Sequence, residues 1–267
     1  MELGVSDLDR SVDFYRRVLG LALIDRGEAS ARLGPGARPS LTLTQIEHPE
    51  PSGTRSTGLY HVAWLHPSRA ALAETVRRIL AARWRIDGAS DHSVSEALYL
   101  SDPDNLGIEI YSDRPRAEWV RPPSGQGVVM VTEPLDVDEL LAQFTGEPSP
   151  EIDPATIIGH VHLKVADVQR ALAFYRDSLG FEEQLEFGSQ AAFVSAGGYH
   201  HHIGLNSWES HGGSPAPSRA PGLRRVEFTL AGDAEVRRVA EQAGGESAAG
   251  RLLLRDPDSQ LLAFSAS

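Results

Sequence analysis

The chain has 267 residues, 41% hydrophobic and 23% charged, which is enough for two domains with buried cores. Cysteine is absent, which excludes a disulfide frame and thiolate metal sites; a metal must be held by His and carboxylate. The net charge of −12 argues against nucleic acid, no apolar run approaches the roughly 18 residues of a membrane span, and no basic-then-apolar leader opens the chain, so a cytoplasmic protein is expected.

Four segments share one predicted pattern: an alternating strand, an amphipathic helix, then three strands. The first helix is expected over about Leu8–Leu19, where Val12, Phe14, Tyr15, Val18 and Leu19 form an apolar stripe and Gly20 is a stop signal. LTLTQIE, Leu41–Glu47, is the last strand of this unit. The second unit opens with GLYHVAWL, Gly58–Leu65, continues through a helix over Arg69–Ala82, and ends with GIEIYSD, Gly107–Asp113. A Pro- and Gly-rich connector, Arg114–Pro154, contains VVMVT, which reads as a strand, and LDVDELLAQF, which reads as a short helix. The third unit opens with GHVHLKV, Gly159–Val165, and its last strand is expected over about Tyr199–Trp208. A Ser/Pro/Gly loop covers Glu209–Pro221. The fourth unit opens with GLRRVEFTL, Gly222–Leu230, and ends at LLAFSAS.

The units repeat in pairs. VSDLDRSVDFYRRVLGL, Val5–Leu21, returns as VADVQRALAFYRDSLGF, Val165–Phe181, and each copy runs on to an Asp-Pro-Asp turn, Asp102–Asp104 and Asp256–Asp258. A repeat of this length means two similar domains. They are expected over 1–116 and 155–267, with 117–154 as connector: an α+β fold of four βαβββ modules.

Four such modules in pairs resemble the vicinal-oxygen-chelate superfamily, which includes glyoxalases, bleomycin-resistance proteins and extradiol dioxygenases. Within it the chain is most similar to the two-domain catechol 2,3-dioxygenase type. The resemblance implies two domains with cupped mixed sheets and a role in aromatic catabolism. It also implies a metal site of two His and one Glu, the facial triad of non-haem Fe(II) enzymes that leaves positions open for substrate and O₂. His61 in LYHVAW, Glu109 in DPDNLGIEIY and His160 in GHVHLKV match the family's ligands. In the fourth unit the equivalent positions hold Arg225 and Ala263, and in the first unit the match to His160 would precede Met1. One complete site therefore requires units two and three to share a barrel. A His upstream of Met1, completing a site within the first half, is the alternative. Glu109 carries a signal of its own: Ile108 and Ile110 flank it on the opposite strand face, and an unpaired carboxylate facing a barrel interior would be costly.

The resemblance also implies a second tier of residues. His92 and Tyr99 match the family's substrate-side His and Tyr. Within His200-His201-His202, the sequence His201-His202-Ile203-Gly204-Leu205 matches the strand carrying the acid/base His, which assigns that role to His201. Alternation would send His200 and His202 to the opposite face. His162 shares the face of His160, and Tyr111 that of Glu109; with His202 they are weaker candidates for substrate contact. His48, His66 and His211 fall in expected loops and receive no role. The implied cofactor is Fe(II), with Mn(II) suited to the same ligands, and the implied partners are a small aromatic diol and O₂, with room for a homo-oligomer. A glyoxalase-like isomerase would want a second carboxylate on the His201 strand, and a metal-free antibiotic-binding relative would lack the triad.

Overall fold

The computed structural model describes residues 1–248 and 250–267. The first unit is β1 (Glu2–Val5), α1 (Leu8–Arg17), β2 (Ala22–Arg26), β3 (Ser30–Gly34) and β4 (Leu41–Gln45). The second is β5 (Gly58–His66), α2 (Arg69–Ala81), β6 (Gly88–Asp91), β7 (Ser95–Ser101) and β8 (Gly107–Asp113). The connector carries the short strand β9 (Glu133–Pro134) and α3 (Val137–Leu141). The third unit is β10 (Ile157–Lys164), α4 (Val168–Ala173), β11 (Glu182–Phe187), β12 (Ala191–Ser195) and β13 (Ile203–Asn206). The fourth is β14 (Gly222–Leu230), α5 (Asp233–Ala243), β15 (Glu246–Ala248), β16 (Arg251–Arg255) and β17 (Leu261–Ala266). The expected α+β organisation of four βαβββ units is what forms. No helix among the described residues is long and apolar enough to cross a membrane.

The repeated helices begin the same way for the same reason. Asp7 and Asp167 each sit in extended backbone and accept the amide of the residue three positions on, at 3.0 and 2.9 Å. Two local expectations fail. Val128–Thr132 forms no strand: it makes single backbone bonds, Val128 to Gln184 of β11 and Val131 to His92, and ladder pairing of the connector begins at Glu133–Pro134, against β6. The last strand of unit three starts at Ile203, so Tyr199–His202 is irregular backbone leading into it.

Two mixed sheets form, and each takes one unit from each half of the chain. Units four and one build the eight-stranded order β15-β16-β17-β14-β1-β4-β3-β2. Units three and two build the nine-stranded order β11-β12-β13-β10-β5-β8-β7-β6-β9. The seam of the second sheet is the antiparallel pair β5·β10, which sets His162 opposite His61 and His160 opposite Ala63.

The repeated FYR and Asp-Pro-Asp segments tie the sheets together. Tyr15 of α1 donates its phenol proton to Asp102 at 3.1 Å, and Tyr175 donates to Asp256 at 2.9 Å. Each bond joins consecutive units that lie in different sheets. The other oxygen of Asp102 accepts the amides of Asp104 and Leu106, and that of Asp256 accepts those of Asp258 and Gln260. Burial pushes both carboxyls up to about 6 despite these donors.

His66, expected in a loop, is instead buried at the end of β5. Its Nδ1 donates to the Trp64 carbonyl at 3.1 Å, and its Nε2 accepts from the Thr75 hydroxyl at 3.0 Å. Burial pushes the ring down to about 4, against the raising effect of those carbonyls. A depressed folded value leaves the ring's stabilising contribution complete above the unfolded value of about 6.5 and removes it as pH falls toward 4. His66→Gln should therefore flatten the acid side of the stability profile. The wild type should lose about 2 kcal/mol more than the variant between pH 7 and pH 5, read as urea midpoints at the two pH values.

Candidate metal centre

The nine-stranded sheet curls so that one face of β5, β7, β8 and β10 lines a cup. Register places Glu109 on β8 beside Ala63 of β5, and His160 on β10 beside Ala63 from the other side. His61 lies two residues before Ala63 on the same strand. The small Ala63 side chain thus leaves a hollow that three polar side chains surround. Their Nε2, Nε2 and Oε2 atoms converge: His61 to Glu109 is 3.0 Å, His160 to Glu109 3.3 Å, and His61 to His160 3.4 Å. Ligand atoms about 2.1 Å from one metal and at right angles to each other lie about 3 Å apart, so the triangle has the dimensions of one octahedral face.

The chemistry of the donor set agrees. All three residues are nearly fully buried. Burial alone would raise the Glu109 carboxyl, but His160 and His61 hold it well below the ordinary carboxylate range. Burial pushes His160 down to about 4, against the pull of Glu109. Two neutral imidazoles and an ionised carboxylate are the protonation state that a divalent cation requires. Without a cation, two ring nitrogens and a carboxylate oxygen would crowd one buried point with too few protons to bridge them. Among the described residues this is the one His/Asp/Glu group so disposed.

The cup opens into a cavity of about 710 Å³. His61, Glu109, His92, Tyr99, His162 and His201 all line it. His92 donates from Nδ1 to the Val131 carbonyl at 2.7 Å, so its Nε2 accepts the Tyr99 phenol proton, also at 2.7 Å. Burial and the facing Glu109 raise the Tyr99 phenol well above its usual value, which keeps it a donor. His162 stacks edge-on to His61, with ring centroids 4.9 Å apart, and its Nε2 meets the Asn206 amide at 3.0 Å. Gly204 lies beneath it, because a Cβ there would stand 2.8 Å from the His162 ring.

His201 lies on the cavity wall, its ring centroid 4.0 Å from that of His160 and 4.9 Å from Phe193. Strand alternation does not explain this placement, since the residue precedes β13. His200 is fully buried behind it rather than facing away, and its ring meets His201. Two of the weaker candidates are off the wall. His202 turns back to accept the Ala196 amide at 3.2 Å. Tyr111 is fully buried behind His160, its hydroxyl 2.8 Å from that of Tyr199. Gly159 makes room for it: a Cβ at 159 would stand 2.0 Å from the Tyr111 oxygen. Residues that no sequence signal singled out also line the cavity: Tyr60, Phe193 and Trp208 as aromatic wall, and Lys164 and Glu209 as an ion pair at 3.8 Å.

Comparison with known proteins agrees with this architecture. A family model described as the glyoxalase/bleomycin resistance protein/dioxygenase superfamily matches residues 1–110 and 157–262. The catechol-2,3-dioxygenase of Bacillus subtilis (strain 168) is 42% identical over 244 residues, covering 90% of this chain and 85% of that protein. A crystal structure from Bacillus subtilis subsp. subtilis str. 168 superposes with a TM-score of 0.68 at 15% identity, covering all of this chain and 83% of the other. Maize glyoxalase I does so at 0.55 and 16%, covering 98% and 89%. At such identities these two likenesses concern the fold.

The geometry predicts one metal per chain and equal dependence on both halves. Elemental analysis after Fe(II) loading should give a stoichiometry near one. His61→Ala, Glu109→Ala and His160→Ala should each bring it near zero. Retention of metal by His160→Ala alone would place the centre within the first half.

Proposed function

The chain belongs to the glyoxalase/bleomycin resistance protein/dioxygenase superfamily, and from that premise we propose that it is an extradiol dioxygenase. It would cleave the ring of catechol or a substituted catechol, next to the diol, with O₂. The observation that carries this reading is the buried His61–Glu109–His160 triangle opening onto a cavity that also holds His201 and the His92–Tyr99 pair. The 42% identity to a catechol-2,3-dioxygenase over most of both chains supports it.

His61, His160 and Glu109 would hold Fe(II), which supplies open coordination positions for the diol oxygens and O₂ and a path for electrons between them. Mn(II) suits the same ligands. The chain's own residues do the rest. His201 stands at the cavity wall as a neutral imidazole, kept so by burial and by the neighbouring His160. It could take a proton from a substrate hydroxyl and return it later in turnover, which is general acid/base work. Tyr99, oriented by His92, presents its phenol oxygen to a substrate hydroxyl. Tyr60, Phe193 and Trp208 offer faces to the ring, and His162 narrows the floor beside His61. The cavity is larger than an unsubstituted catechol needs, which supports a ring bearing a further substituent.

A glyoxalase-like isomerase is the second reading. It is less well supported, because the cluster has three protein ligands and no second carboxylate among the described residues.

The test is O₂ uptake by anaerobically prepared, Fe(II)-loaded protein given catechol and substituted catechols. One O₂ consumed per diol, with a coloured ring-opened product, is expected. His201→Asn should keep its iron while turnover falls roughly 10²–10⁴-fold. His202→Asn should be mild, since that ring is turned away from the cavity. No O₂ uptake with any catechol, by protein that holds one iron, would turn the reading toward the isomerase.

A further inference from the structure

Behind His201 runs a chain of buried polar contacts that the proposed reaction leaves without a task. Asp113 closes β8, on the same strand face as Glu109 and Tyr111. Its Oδ1 lies 3.0 Å from His200 Nε2 and accepts the Tyr199 hydroxyl at 3.1 Å. His200 Nδ1 is 2.8 Å from His201 Nδ1. The His200 ring is fully buried, with Tyr199 and Trp119 at centroid distances of 4.0 and 5.3 Å.

These contacts fix protons one after another. A carboxylate only accepts, so His200 Nε2 must carry the hydrogen that faces Asp113. In neutral His200 the other nitrogen, Nδ1, is then an acceptor. His201 Nδ1, at 2.8 Å, must be the donor. The remaining nitrogen of His201, Nε2, is left with a free lone pair and makes no hydrogen bond among the described residues. Packing against His160 and Phe193 holds the ring in place but does not distinguish its two tautomers. The hydrogen bonds do.

We propose that Asp113 and His200 are positioning residues for His201, a carboxylate–imidazole relay that selects the Nδ1–H tautomer and leaves Nε2 free to accept a proton. When Nε2 takes a proton from a substrate oxygen, the positive charge formed on His201 is shared through Nδ1–H with His200 and balanced by Asp113. No atom leaves the relay, and the return of that proton restores the starting state. Asp113 is a quarter exposed, so the far end of the relay reaches solvent while His200 does not. The arrangement extends by one imidazole the logic by which a buried carboxylate orients a catalytic His. This inference rests on the reading of His201 as acid/base group.

Asp113→Asn is the decisive variant, since its amide can donate to His200 Nε2 and reverse every hydrogen bond down the chain. In the Fe(II) enzyme, metal content and anaerobic catechol affinity should hold within about threefold while kcat falls roughly 10²-fold or more. Imidazole ¹⁵N spectra of the Zn(II)-loaded protein report the tautomer without any turnover. The wild type should show His201 protonated at Nδ1, and Asp113→Asn should move that proton to Nε2. Tyr199→Phe removes the other donor to Asp113 but leaves the relay intact, and should cost far less. A wild-type His201 protonated at Nε2, or a Tyr199→Phe loss as large as that of Asp113→Asn, would overturn the proposal. If Asp113→Asn does not fold, the wild-type spectrum alone decides. If the protein opens no catechol, the spectra still separate a wrong relay from a wrong reaction.

Discussion

The antiparallel pairing of β5 with β10 is the contact on which the candidate site depends. It joins the second quarter of the chain to the third, and its register puts His160 and Glu109 on either side of Ala63 with His61 just below. None of the three donors is near another in sequence, so no local preference brings them together. The pairing also explains why one site forms rather than two. The corresponding seam of the other sheet, β1 with β14, puts Arg225 opposite Glu2. There, Arg225 pairs with Glu2 at 3.2 Å and Glu227 at 2.9 Å, and Arg251 pairs with Glu227 at 3.2 Å. The matching positions carry ion pairs where the first sheet carries the His-His-Glu cluster.

The internal repeat serves a different purpose from the sheet pairing. Sheets join unit one to four and two to three, while the Tyr15–Asp102 and Tyr175–Asp256 bonds join one to two and three to four. Every unit is therefore held to two others. The tie is conspicuous in sequence because it needs a Tyr on a helix and an Asp that caps a turn with two backbone amides at once, a pairing few other residues satisfy. The ligands are conspicuous for the opposite reason. They are polar residues in strands whose neighbours are apolar, and alternation gives them away.

How far sequence reached into the site follows from this. His61, Glu109 and His160 were legible as individual strand residues, and their assembly was legible because the fourth unit holds Arg225 and Ala263, the first has no match for His160, and the acid/base His falls in the third. His92 and Tyr99 were found by resemblance, and the bond between them agrees with that reading. His201 was singled out by resemblance too, but the alternation argument beside it holds for His202 and fails for His200, because Tyr199–His202 is irregular backbone before β13 begins. Irregular backbone can bury two successive side chains side by side, as it does His200 and His201, where a strand would have separated them. Tyr111 shares a face with Glu109 yet lies one layer deeper, and strand parity cannot distinguish the wall of a cup from the packing behind it. Asp113 and His200 are 87 positions apart, and only the folded seam reveals their contact. Val128–Thr132 has the composition of a strand but touches the sheet only through single backbone bonds, at Gln184 and His92, before pairing begins at Glu133.

The site also divides its work between strand and loop backbone. The three donors lie on central strands, each hydrogen-bonded on both sides, where a shift of one would strain two neighbours. His92 and His201 lie on loops at the rim, the first next to Ser93 at a φ of 64°. Loops move more easily than strands, so each rim His needs its ring fixed by something else. His92 is fixed by the Val131 carbonyl on one nitrogen and Tyr99 on the other, and His201 by His200 on one and the cavity on the other. In both cases the bond at one nitrogen sets the role of the other: an acceptor for Tyr99 in His92, and a nitrogen with no partner among the described residues in His201. The geometry of the His61–Glu109–His160 cluster is thus a property of the sheet, and the orientation of the rim imidazoles is a property of the hydrogen bonds that reach them from outside it.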